Sequence, residues 1–233
     1  MISVFSITTG IIFVAFLCWL LANARSGILT DAAILRALRR GEIVISPFDR
    51  AALGGNSYDV HLSPYLRTYA EPGYVLTPPA TGADAQPPWP GPLDCKRAHQ
   101  TYDFEIPAAG FLLRPGILYL ARTLEYTEAH RYIPILDGKS SMGRLGAWIH
   151  ITAGYGDIGF CGGWTLEIVV VHPIIVYPGM PIGQLRFHSV RGRLLQPYNR
   201  KHTAKYTDAQ DPRPQASRMH LNFATPSNPR DTE

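Results

Sequence analysis

WTLEIVVVHPIIVYPGMPIGQLRFH, residues 164–188, decides how the rest of this chain is read. Its apolar runs are rich in Val and Ile, too short for helices, and separated by His-Pro and by Pro-Gly-Met-Pro, so the runs read as strands and the breaks as turns. In the first run Thr165, Glu167 and Val169 alternate with Leu166, Ile168 and Val170, the period that sends successive side chains to opposite faces of a sheet. The same pattern recurs upstream in FLLRP (111–115), ILYLAR (117–122), YIPILD (132–137) and AWIHITA (147–153), with no helical periodicity after Val44. Many short strands punctuated by Pro, Gly, Asn and Asp predict a mainly β body, a distorted jelly-roll-like β-barrel.

Outward from that body the pattern changes at both ends. ILTDAAILRALRRGEIVI (28–45) has Thr30 or Asp31 as an N-cap, Ile34, Leu35 and Leu38 at helical spacing and Gly41 as a stop, which predicts one short amphipathic helix before the strands. PPATGADAQPPWPGP (78–92) is too rich in Pro and Gly for a ladder and reads as an exposed excursion with no chemistry assigned to it. ATPSNPRDTE (224–233) has no apolar anchor and is expected to be disordered. The domain is therefore expected over residues 27–223.

Residues 1–26 form a hydrophobic leader. Ser3 to Ala22 carries no charge and includes IIFVAFLCWLLA, long enough to span a bilayer. Arg25, Arg36, Arg39 and Arg40 follow it and would hold that side in the cytoplasm. A membrane anchor through residues 3–22 and a vestigial leader outside the fold are both open readings, and both leave the domain cytoplasmic.

Charged residues are 17% of the chain and the net charge is only +4, too weak a field to argue for nucleic acid. Aromatic interleaving in the basic stretch Arg186 to Lys205 is sparse as well, so no nucleic-acid partner is expected. Cys18, Cys95 and Cys161 are odd in number and far apart, without a CxxC pair, which suggests neither a disulfide framework nor a structural zinc site.

Two stretches carry candidate chemistry. KSSMGR (139–144) offers two cations, two hydroxyls and a glycine that admits close backbone approach, the parts needed for phosphate oxygens, although a polar turn with solvated charges has the same composition. TAGYGDIGFCGGWTLE (152–167) puts Asp157 in a glycine-rich turn and Glu167 inside a strand, where a carboxylate among apolar neighbours is costly unless it has a task or a partner. Alternation alone is equally consistent with Glu167 on a solvated face. His150, His172 and His188 have no metal-ligand spacing and read as ordinary strand residues.

The order KSSMGR, TAGYGD, TLE, PGMPIGQL (178–185), Tyr198 and Lys205-Tyr206, preceded by LTDAAILRALRRGEIVISPFD and NSYDVHL, resembles the dCTP deaminase family, which is akin to trimeric dUTP diphosphatases. The likeness runs from about Ile28 to Leu221. It implies a dUTPase-like fold and hydrolytic deamination of dCTP to dUTP and ammonia in a homotrimer whose sites lie between subunits. Within that resemblance Glu167 matches the general base that later returns a proton, and Ser140 and Arg144 match the polar groups beside the attacking water. Lys139, Ser141, Met142 and Gly143 complete the phosphate- and base-contacting loop, Asp157 matches the carboxylate on the deoxyribose, and Ala153, Thr165 and Leu166 match residues around the pyrimidine. Gln184, Tyr198, Lys205 and Gln210 match groups enclosing the triphosphate. Mg²⁺ is expected on the substrate phosphates with no ligand from the protein, and no zinc, since neither H-x-E nor P-C-x-x-C occurs. dUTP and dTTP are further nucleotides of the right shape.

Two departures stand out: Gly156 occupies a place that is generally apolar in the family, and KYTDAQ (205–210) is one residue longer than usual. The rival activities are a bifunctional enzyme giving dUMP and pyrophosphate, an open reading in which TLEIVVVHPIIVY resembles archaeal bifunctional members, and a dUTP diphosphatase. A non-catalytic nucleotide-binding protein on the same fold is a further alternative.

Overall fold

The computed structural model describes residues 13–14, 27–76, 91–206 and 211–223. The expectations for the leader, for most of the excursion at 78–92, for Gln210 and for the tail fall outside them. Among the described residues no helix is long and apolar enough to cross a membrane.

Helix α1, Asp31–Arg39, begins after Thr30 and ends before Gly41, whose φ of +64° is the left-handed conformation that a glycine adopts without strain. Ile34 and Ala37 are buried in the core while Leu35 is only half-buried, so the inward stripe is narrower than the spacing predicts.

The body is the expected β architecture. Its main sheet runs in the order β7 (Ile133–Gly138), β12 (Pro181–His188), β2 (Tyr58–Thr68), β5 (Tyr119–Thr123), β10 (Thr165–Val170) and β8 (Ala147–Trp148), with β3 (Tyr102–Glu105) also paired to β2. A three-stranded sheet joins β1 (Ile43–Ser46), β6 (Tyr126–Ala129) and β9 (Cys161–Gly162), and β4 (Phe111–Leu113) pairs with β11 (Ile174–Val176). Helix α2, Pro72–Leu76, precedes the excursion.

Alternation on β10 is resolved in favour of the apolar set: Leu166 and Ile168 are fully buried and Val170 nearly so. Each such side chain contributes about 1.5–3 kcal/mol on burial, whereas a one-residue slip would bury the Glu167 carboxylate instead, so the register is strongly specified.

One bent segment closes the barrel between its two ends. Residues 147–148 pair with β10 in β8, and Glu167 N–H still donates to the Ile149 carbonyl at 2.9 Å. The chain then crosses, and the Gly154 carbonyl accepts from Leu136 N–H at 2.6 Å while Gly156 N–H donates to the Pro134 carbonyl at 2.9 Å, both on β7. AWIHITA is thus half strand and half crossover. Two glycines permit the close approach: a Cβ on Gly154 would lie 2.4 Å from the Leu136 oxygen, and one on Gly156 would lie 2.4 Å from the Trp164 ring.

Candidate active site

The crossover at 150–153 opens a cavity of about 780 Å³ against the outer face of β10. Glu167 lines it, and its Oε2 accepts a hydrogen bond from Ile151 N–H at 2.9 Å. That bond fastens the carboxylate to the point where the chain has left one strand and not yet joined the next. Oε1 has no hydrogen-bond partner among the described residues.

Glu125 is the contrasting case. It is 2% exposed, but Oε2 accepts from His61 N–H at 2.9 Å and Oε1 meets His61 Nδ1 at 2.6 Å, so both oxygens are committed to holding β2. A proton carrier needs an uncommitted oxygen, and Glu167, unlike Glu125, keeps one at the cavity among the described residues.

Ala153, Asp157, Thr165 and Tyr198 line the same cavity as Glu167. Asp157 is half exposed with Lys201 Nζ 3.6 Å from its Oδ2. Thr165 Oγ1 accepts from Gln215 N–H at 3.2 Å, which lays the C-terminal segment along the rim. Tyr198 OH accepts from Tyr206 N–H at 3.1 Å, and the Tyr198 ring lies 6.3 Å from Phe160.

Other predicted residues lie elsewhere. KSSMGR forms a helical turn, α3 (Ser140–Arg144), where the sequence suggests a loop, and none of its residues lines the cavity. Ser140, Ser141, Gly143 and Arg144 are exposed, Lys139 is ion-paired to Asp59, and Met142 is 4% exposed in the core. Gln184 belongs with this second group, since its amide accepts from Ser57 Oγ at 3.2 Å and donates to the Gly138 carbonyl at 3.5 Å. Leu166 is fully buried on the opposite face of β10, so only its backbone can reach a base. Lys205 does not line the cavity; its carbonyl accepts from the Arg218 guanidinium.

Several cavity residues carried no signal. Phe160 and Trp164, with ring centroids 4.9 Å apart, form an aromatic wall, beside Tyr206, which the motif order in the sequence did mark. The segment that follows the proline-rich excursion contributes as well, with Asp94, Arg97 and His99 lining the cavity. The turn at 94–97 is held by Lys96 N–H to Asp94 Oδ1 at 2.9 Å and by Arg97 N–H to the Asp94 carbonyl at 3.0 Å. Only the folded chain brings residues so far apart in sequence to one rim. Cys161 lines the cavity as well, but burial and the neighbouring Glu128 carboxylate push its thiol up, which argues against a nucleophile.

Residues 28–190 match a family described as dCTP deaminase-like. The chain is 45% identical over 152 residues, 65% of its length and 77% of the relative, to a protein of Cytophaga hutchinsonii named "dCTP deaminase, dUMP-forming". A Leptospira biflexa protein of the same name is 42% identical over 177 residues, covering 76% of this chain and 90% of the relative. Among solved structures, the 2'-deoxycytidine 5'-triphosphate deaminase of Agrobacterium tumefaciens superposes with a TM-score of 0.51 at 21% identity, covering 73% of this chain and 50% of that one, a likeness of fold.

Proposed function

From the premise that this chain belongs to the dCTP deaminase-like family, we propose that it removes the 4-amino group of dCTP and releases dUMP. The observation that carries the deamination is Glu167, with one oxygen tied to Ile151 and the other open to a cavity shared with Asp157, Tyr198 and Tyr206. Water attack at C4, protonation at N3 and departure of ammonia require a group that takes a proton and returns it, an effect worth about 10²–10⁴ in rate. The product reading turns on the relatives: those named above are dUMP-forming, which favours the bifunctional alternative over dUTP as the end product. Overall, dCTP and two waters give dUMP, ammonia and pyrophosphate.

The site is proposed to be completed by a second copy of the chain. KSSMGR and Gln184 form one polar group and Glu167 with Asp157 another, and no residue of the first lines the cavity of the second. A homotrimer, in which the loop of one subunit faces the cavity of its neighbour, would reunite them. Arg144 and Lys139 would then meet negative charge on the substrate, with Mg²⁺ on its phosphates and no zinc in the chemistry.

Incubation of the purified chain with dCTP and Mg²⁺, followed by resolution of dUTP, dUMP, pyrophosphate and ammonia, tests both parts. Ammonia, dUMP and pyrophosphate are expected in equal amounts. Accumulating dUTP would restore plain deamination, and absence of ammonia would sink the proposal. Glu167→Gln should cut ammonia release by at least about 10²-fold while nucleotide binding persists, and unchanged turnover would mean that the proton carrier lies elsewhere.

A further inference from the structure

Away from Glu167, three metal-ligating side chains of different chemistry converge on one face of the small sheet. Glu128 and His130 are two residues apart, at the end of β6 and just past it, so strand alternation sends them to the same side. Cys161 on β9 is the direct cross-strand partner of Glu128. The ligating atoms of all three lie within 4.8 Å of one another.

Their scaffold is fixed. Thr127 and Ala129, which alternate with them, are buried, and Gly159 N–H donates to the Ala129 carbonyl at 2.7 Å. Tyr126 OH donates to Glu128 Oε1 at 2.6 Å, orienting the carboxylate so that Oε2 meets His130 Nε2 at 2.6 Å. A hydroxyl that holds a ligating carboxylate from behind is the outer-shell support common to metal sites.

We propose that Glu128, His130 and Cys161 form a binding site for a borderline-soft divalent cation, Zn²⁺ foremost, with solvent in the fourth position. Tetrahedral Zn²⁺ bonds of about 2.0–2.3 Å place ligand atoms about 3.3–3.8 Å apart, a spacing that rotation of the half-exposed His130 reaches from the present one. Thiolate, imidazole and carboxylate together select Zn²⁺ or Co²⁺ against Mg²⁺, which prefers oxygen alone. The cation's own charge draws off the thiol proton, which passes to solvent. Because Cys161 also lines the nucleotide cavity, the bound cation pins one edge of that wall without entering the reaction at Glu167.

Titration of the chelator-treated full-length protein with Co²⁺, followed by absorption, tests this. One equivalent should produce a thiolate-to-cobalt charge-transfer band that Zn²⁺ abolishes and excess Mg²⁺ leaves intact. Cys161→Ser should remove the band, Cys18→Ser and Cys95→Ser should retain it, and His130→Ala, at an exposed position, should weaken Co²⁺ binding at least about tenfold. No band in the parent protein, a band that survives Cys161→Ser, or binding indifferent to His130→Ala would overturn the proposal.

Discussion

Glycines separate fold from function most cleanly at the scale of single residues. A Cβ on Gly154 would stand 2.4 Å from the Leu136 carbonyl oxygen, backbone that cannot rotate aside, so Gly154→Ala should lower stability by about 1–3 kcal/mol, read from chemical denaturation. A Cβ on Gly143 would meet nothing within 4 Å in its own subunit. Gly143→Ala should therefore leave that stability unchanged while slowing ammonia release, if a ligand or a neighbouring subunit packs on KSSMGR. Unchanged activity would remove the loop from the site. Glu167 could be marked as a candidate from its place in an apolar strand, but whether it faced solvent or a cavity depended on the crossover at 150–153, which alternation does not encode.

Among the elements, the C-terminal segment is the one whose attachment responds to pH. Two hydrogen bonds from Arg67, at 2.6 and 2.9 Å, hold the Asp103 carboxyl below its usual range, and the Arg213 guanidinium holds Asp211 down to about 2. Arg213 also reaches Asp103 at 3.5 Å, Arg122 donates to the Asp211 carbonyl, and Ser217 N–H donates to Tyr69 OH at 2.8 Å, so the strap crosses several strands. A depressed carboxylate stabilises above its unfolded pKa of about 3.9 and stops doing so as pH falls through its folded value. Protection of 211–218 against hydrogen exchange, taken relative to the intrinsic rate at each pH, should therefore fall between about pH 4 and pH 2, and Arg213→Gln should quicken exchange there at neutral pH. Exchange equally slow in that variant would mean that the ion pairs do not hold the strap. The residues that fasten this segment come from Thr165, Tyr69 and Asp103, which nothing in its own sequence names.

For the whole molecule the question is how two polar groups within one subunit make one site. If KSSMGR of one subunit serves Glu167 of the next, Glu167→Gln and Arg144→Ala will each be inactive alone, yet unfolding and refolding them as an equal mixture should restore about a quarter of the parental sites. Lack of any recovery would put both groups in the same subunit or remove the trimer from the account. Sedimentation of the mixture distinguishes failed assembly from failed chemistry.

By itself the sequence determined the β class and the helix at Asp31–Arg39 and marked Glu167 as a candidate, because period, turn residues and the cost of a charge in an apolar strand are all local. Tertiary structure decided the rest. Closing the barrel through Gly154 and Gly156 placed Ile151 against Glu167 and packed Leu166 away from the cavity, and the fold brought Asp94 and Arg97 to its rim. These outcomes depend on which strand meets which across the seam, a contact between residues far apart in the chain that no local pattern carries.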